Sequence, residues 1–329
     1  MRVAFAAVLF LLLVPAAIAP IFSNDFFWHL ATGRWIVEHH SLPLTDPFTV
    51  GSDPVEWVNG EWLWEAIVYS LHSITATVFV NAVIVALTFA IAFLASSRNA
   101  PWPLCLFLTA IAAGAALWYR ALAVRPSTTG ATLAVVAIVL LDEGRHDWLY
   151  LLLAVVWINV HPSALLAPLL ALLARRVHWL PLASAAALLI NPFGWKAMVA
   201  PVYLMSFIRD ARHSGFFNLE WLPADAVRYP LVYLTVFGGV AAFFVSKSNV
   251  WRLAAFALFA ALAMRGTRNV GLYFATMPLL VAPMVPVTWS RKWLAPAAAV
   301  PIALVLFALP HHPGLDRSNY PLGAVAQLK

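Results

Sequence analysis

Charge is scarce in this chain: Asp, Glu, Lys and Arg make up 10% of its residues, against roughly 25% in an ordinary soluble domain. With 63% hydrophobic residues and a mean hydropathy of +0.85, there is too little polar surface to cover a water-soluble fold of this size. Cysteine is almost absent too. Cys105, alone and inside an apolar run, excludes both a disulfide framework and a cysteine-based metal site. A basic stripe is also missing, because the Lys and Arg behind the pI of about 9.7 are scattered between apolar segments, which argues against nucleic acid as a partner. No internal repeat or low-complexity linker interrupts the pattern.

What is present is apolar sequence in runs of bilayer length or slightly less. The expected fold is all-α, a polytopic transmembrane bundle of about eleven spans: 3–22, 75–95, 103–119, 127–141, 148–160, 163–174, 179–191, 229–246, 251–264, 269–287 and 293–310. Residues 1–20 also imitate a signal peptide, with Arg2, an apolar run and Ala17-Ile18-Ala19 as a cleavage site. A retained first span is preferred, because ten more apolar segments follow. The domain reading is a membrane domain over 1–310, with a first external loop at 23–74, and an extracytoplasmic tail over 311–329.

With the amino terminus in the cytoplasm, Lys and Arg divide nine inside and eleven outside, so the positive-inside tally does not set the orientation. The orientation rests on the mixed polar motifs, which all fall on one face. Amphipathic helices are expected in the outer loops: 25–39, capped by Ser23 or Asn24 and stopped before Pro43 and Pro47; 61–73; and 195–208.

The acidic residues cluster sharply. Asp25, Glu38, Asp46, Asp53, Glu56, Glu61 and Glu65, half of the 14 in the chain, lie between Ser23 and Glu65, where Arg34 alone opposes them. A carboxylate concentration beside a helix end marks this loop as the expected site of chemistry. Asp25 follows the first span directly, and a half-desolvated carboxylate there suits a general base; the structural alternative is a helix-start acid that favours the macrodipole. His29 lies one turn further on and could orient Asp25, meet a phosphate or hold a divalent cation. Glu61 and Glu65 repeat the spacing within Glu61-Trp62-Leu63-Trp64-Glu65, which suits a metal or a sugar hydroxyl. No metal ligand set is assigned from sequence, and no His-Glu-x-x-His pattern occurs.

Arg120, Arg125, Arg265 and Arg268 stand at the outer ends of spans, against the usual topology bias. Phosphate of a lipid-linked substrate would explain them, as would snorkelling to lipid headgroups. Trp57, Asn159, His161, Asn191 and Glu220 complete the polar set, each by itself a turn, cap or anchor signal.

Taken in order, Asp25-Phe26-Phe27-Trp28-His29-Leu30, Thr32-Gly33, Pro43 through Asp46-Pro47-Phe48, Trp57, Glu61 to Glu65, Trp157-Ile158-Asn159-Val160-His161, Asn191-Pro192-Phe193-Gly194, Glu220-Trp221 and Arg268-Asn269 resemble bacterial polytopic proteins regarded as GT-C class glycosyltransferases. The resemblance implies a GT-C-like bundle in the bacterial inner membrane. It implies an inverting hexosyl- or pentosyltransferase, taking a sugar from a polyprenyl-phosphate donor to a glycan, lipid or protein acceptor on the extracytoplasmic side. Asp25 would then be the base, with His29 and Glu61 beside it. Arg120, Arg125, Arg265 and Arg268 would neutralise the leaving phosphate, and Glu65, Trp57, His161, Asn191 and Glu220 would bind substrate. A divalent cation is compatible with this set but not assigned. Similar proteins often continue into a soluble domain, and Tyr320 to Val325 read as the opening of one. Rival classes are a transporter or flippase, which should show an inverted repeat, a non-catalytic scaffold, and a metal-dependent hydrolase using Asp25, His29, Glu61, Glu65 and His161.

Overall fold

Ala100 and Pro101 divide two long apolar runs, and the backbone obeys: Ala100 is extended (φ −147°, ψ 163°), as a residue before proline must be, and a helix ends on one side and begins on the other. The same logic of caps and breakers produces fourteen α-helices among the described residues of the computed structural model, with no strand. Residues 1–23, 25–48, 56–175, 177–213, 219–246, 250–285, 298–308 and 312–316 are described. The helices are α1 (Arg2–Ala17), α2 (Phe26–His39), α3 (Trp62–Ser70), α4 (Ile74–Asn99), α5 (Trp102–Trp118), α6 (Pro126–Glu143) and α7 (Asp147–Val160). They continue as α8 (Leu166–Ala174), α9 (Leu180–Ala187), α10 (Lys196–His213), α11 (Pro230–Ser246), α12 (Val250–Arg265), α13 (Val270–Val281) and α14 (Ala299–Ala308).

Each of the eleven expected segments carries a helix, so the all-α bundle is observed. Among the described residues, however, only α4 and α6 are long and apolar enough to cross a membrane by length and composition. The others are trimmed by local chemistry. Helix α1 stops at Ala17, ahead of Pro20, and the 179–191 segment contracts to α9 before turns organised by Asn191. Segment 269–287 forms α13 followed by the 3-10 turn Ala282–Met284, and 286–297 lies outside the described residues.

The centre of the bundle is packed on small side chains. Ala82, Ala86, Ala112, Ala113, Ala131 and Ala134 are all buried, letting α4, α5 and α6 approach closely around α13, with Phe89, Phe93 and Phe274 filling the larger gaps. Large apolar residues face outward around the flanks, among them Leu11, Phe79, Leu152, Leu182, Phe237 and Phe244.

Helices α5, α7 and α12 run toward one end of the bundle, where the turns after them meet the starts of α6, α8 and α13. At that end α2 and α3 lie against each other. Their approach requires Gly33: a Cβ there would collide with the backbone carbonyl of Glu65 and with Tyr69 Cβ. Helix α2 ends with His40 in the left-handed region, ahead of Pro43, and Trp57 N then bonds Leu44 O at 2.8 Å, folding the loop back toward α3.

Candidate functional site

A cavity of about 970 Å³ opens at this end, walled by the first loop, the α5–α6 turn, the α7–α8 turn, α10 and the α12–α13 turn. Asp25, His29, Trp57, Glu61, Glu65, Arg120, Arg125, His161, Glu220 and Arg268, ten of the expected residues, line it.

The acidic island resolves into separate parts. Glu38 pairs with Arg34 at 2.9 Å, Glu56 with Lys196 at 2.5 Å, and Asp46 Oδ1 accepts from Phe48 N at 2.8 Å. These three brace the loop. Asp53 lies outside the described residues. Asp25, Glu61 and Glu65 turn into the cavity, and the cations that face the island come from distant sequence as well as from Arg34.

Asp25 corrects the expectation of half-desolvation: its side chain is 62% exposed. Asp25 itself occupies the N-cap of α2, and its side chain makes no capping hydrogen bond there. Ser23, the expected cap, has its Oγ accepting from Arg125 Nε at 2.8 Å. Asn24, the other expected cap, lies outside the described residues. Arg125 Nη2 stands 3.7 Å from Asp25 Oδ2 and also pairs with Glu220, so one guanidinium joins α2, α6 and the loop before α11.

His29 is paired with Glu65 and not with Asp25. Its Nδ1 lies 2.8 Å from Glu65 Oε1 and 3.9 Å from Glu61 Oε2. Glu65 is 2% exposed, and its other oxygen accepts from Asn59 Nδ2 at 2.5 Å. Burial alone would lower the His29 pKa, but the hydrogen bond its ring donates to Glu65 and the charges of Glu61 and Glu65 outweigh it, and the net direction is up. Glu61, at the start of α3, is also pushed up, by desolvation first.

His161 contrasts with His29. Trp157 Nε1 donates to Ser163 Oγ at 2.9 Å, which leaves that hydroxyl to donate to His161 Nδ1 at 2.7 Å; Ser163 N donates to the same nitrogen at 3.1 Å. With Nδ1 accepting, the proton of the neutral ring belongs on Nε2. That nitrogen is buried without a hydrogen bond, 3.5 Å from Glu61 Oε1. Burial, aided by Arg268 and His29, lowers the His161 pKa to about 3. Gly130 makes the arrangement possible, since a Cβ there would press on Ser163 Oγ and the imidazole.

Arg268 sits with its guanidinium 4.2 Å from the centre of the Trp221 ring and makes no ion pair among the described residues. Desolvation lowers its pKa, with the charges of Glu61 and Glu220 opposing. Arg120 lies over Phe22 at 4.5 Å and 3.6 Å from Asp316. Trp57 joins Trp28 and Phe48 in an edge-to-face cluster, with Trp28 and Trp57 centroids 5.8 Å apart.

Two expected site residues are elsewhere. Arg265, at the end of α12, is exposed and does not line the cavity. Asn191 organises a turn: its Nδ2 donates to Leu188 O and Gly194 O, and its Oδ1 accepts from Phe193 N. Asn159 is likewise structural, linking Trp62 Nε1 to the α9 end at Ile190 O. Sequence reasoning passed over Asn59 and Ser163. The former reads as half of an Asn-Gly turn and the latter as a residue after proline, so neither carries a long-range signal.

Leu204, Met205, Phe207 and Ile208 of α10 give the cavity an apolar stretch of lining. No family model matches the chain, and no curated protein or solved structure matches it either.

Proposed function

We propose that this chain is a membrane-embedded glycosyltransferase that moves a sugar from a polyprenyl-phosphate donor to an acceptor on the extracytoplasmic side, within a GT-C-like bundle of about eleven apolar segments in the bacterial inner membrane. The outward-facing Leu and Phe side chains and the alanine-packed interior suit lipid around the bundle. Helices α1, α5, α11 and α12, at 16 or 17 residues, rise about 24–26 Å, so the reading needs their flanking interfacial residues to complete each crossing of a core roughly 30 Å thick.

The observation that carries the reading is one cavity with two unlike linings: a polar one of three arginines and the four carboxylates Asp25, Glu61, Glu65 and Glu220, and an apolar one from α10. A lipid phosphate carrying a sugar needs both. In this mechanism the phosphate lies against Arg268 and Arg125, with Arg120 at the cavity edge, and the isoprenoid chain follows α10. Trp57 offers an aromatic face to the sugar. Asp25 takes the proton of the acceptor hydroxyl as that oxygen bonds the anomeric carbon. The bond from that carbon to the phosphate oxygen breaks with its electron pair on the phosphate, where the arginines stabilise the charge. Attack opposite the leaving group inverts the anomeric centre.

Of the three arginines that line the cavity, Arg120 and Arg125 pair with carboxylates and Arg268 makes no ion pair among the described residues, so it has the most to gain from phosphate. The test is binding and transfer with a panel of labelled polyprenyl-phosphate sugars, using protein in lipid nanodiscs. One donor should bind and turn over, and Arg268→Gln should weaken its binding by about 10- to 100-fold, the worth of a charge-assisted contact. Binding without transfer to any acceptor would favour a flippase. No binding at all would favour a scaffold.

A further inference from the structure

We propose that His29, Glu61 and Glu65 hold one divalent first-row transition ion, Zn²⁺ or Mn²⁺, at the wall of the cavity. Each residue offers one ligand atom, and the three atoms lie within 4.8 Å of one another. His29 Nδ1 is 2.8 Å from Glu65 Oε1 and 3.9 Å from Glu61 Oε2. With bonds near 2.1 Å, tetrahedral ligands stand about 3.4 Å apart, so shifts of up to about an ångström per ligand atom would seat the ion.

Of the two remaining oxygens, that of Glu65 is already held as an ion would require and that of Glu61 has a donor nearby. Glu65 Oε2 accepts from Asn59 Nδ2, and Glu61 Oε1 faces His161 Nε2 at 3.5 Å. Such outer partners orient ligating carboxylates. His161 is an independent sign that the cluster is incomplete, because its Nε2 is buried, with the residue 8% exposed, carries a proton aimed at Glu61, and has no hydrogen bond. A shift of Glu61 onto an ion is free to close that gap. Two carboxylates and a neutral imidazole sum to two negative charges, which a divalent ion neutralises. One nitrogen and two carboxylate oxygens suit Zn²⁺ or Mn²⁺ better than Ca²⁺, and three protein ligands leave a position open toward the cavity. The ion is independent of the transferase reading, since Asp25, one turn from His29, is not a ligand.

Tag-free protein in nanodiscs would be stripped with chelator and re-equilibrated with Zn²⁺ or Mn²⁺, then assayed for bound metal by mass spectrometry and for its unfolding temperature. The wild type and Asp25→Asn should each retain about one ion and unfold at a higher temperature with it. Glu61→Gln and His29→Gln should lose at least tenfold in affinity, and neither should gain in unfolding temperature when the metal is added back. Equal metal content in wild type and Glu61→Gln, or loss of the ion in Asp25→Asn, overturns the assignment. A readout on the wild type alone guards against misfolded variants: bound Cu²⁺ should show hyperfine coupling to a single imidazole nitrogen, and a spectrum without nitrogen coupling also overturns it.

Discussion

The two ends of the bundle treat charge in opposite ways. Away from the cavity, Arg252 of α12 is fully engaged: Nη2 donates to Asp142 Oδ1 and Nη1 to Leu279 O, both at 2.8 Å, and nearby Arg98 pairs with Glu143. At the cavity end, about 25 Å away along α6 by helical rise, one arginine bridges two carboxylates, another lies on a tryptophan, and a buried imidazole N–H has no hydrogen bond. A closed pair makes structure, whereas a polar group left open at a structural cost makes a site.

The comparison is broken most forcefully at the closed end. Arg252→Ala leaves Asp142 buried without its cation and should cost about 3–5 kcal/mol of stability, measured by denaturant unfolding in detergent. Arg268→Gln, at the open end, should cost little by the same assay. Equal losses would erase the distinction.

A smaller effect tests how the site is assembled. Gly33→Ala removes a helix breaker and by propensity alone should stabilise α2 by about 1 kcal/mol. The collision with Glu65 O should instead make it destabilising by about 1–2 kcal/mol and should separate His29 from Glu65. A stabilised Gly33→Ala would show that α2 and α3 are not tightly apposed.

The two histidines predict pH effects of opposite sign. Below pH 6.5 the unfolded chain protonates His161 while the folded one, at about 3, does not, so this residue costs stability as pH falls, by up to about 1.4 kcal/mol per unit. His161→Gln should therefore flatten the loss on acidification. His29, raised on folding, contributes stability below pH 6.5 that disappears as pH rises through its folded value, and His29→Gln should remove that contribution. Unfolding measured from pH 5 to 8 separates the two.

The smallest effect lies at Arg120. It closes α5 in the left-handed conformation, φ 52°, with Ala121 N bonding Ala116 O and Arg120 N bonding Leu117 O, a position that normally favours glycine. Arg120→Gly relieves the left-handed strain but gives up the contacts with Phe22 and Asp316, so it should change the stability of the fold by less than about 1 kcal/mol while weakening donor binding. Unchanged donor affinity in this variant would remove Arg120 from the phosphate site.

The helices and the polar end were legible because apolar runs, prolines and the Ser23 to Glu65 cluster act locally. Partner choice was not. Asp25 and His29 look like a pair at four-residue spacing, but Gly33 lets α3 approach so closely that Glu65 reaches His29 first. His161 reads in the sequence as a turn residue or a substrate contact, and only its tautomer, set by Trp157 through Ser163, shows which nitrogen carries the proton toward Glu61. Arg265 and Arg268 look equivalent in sequence, yet one turn of backbone after α12 sends the first outward and the second over Trp221.

The most direct test of the central claim is single-turnover transfer from the bound lipid-linked donor by wild type and Asp25→Asn. The account predicts unchanged donor affinity and a rate at least about 100-fold lower in Asp25→Asn, the usual worth of a general base. Transfer by Asp25→Asn at the wild-type rate would contradict it.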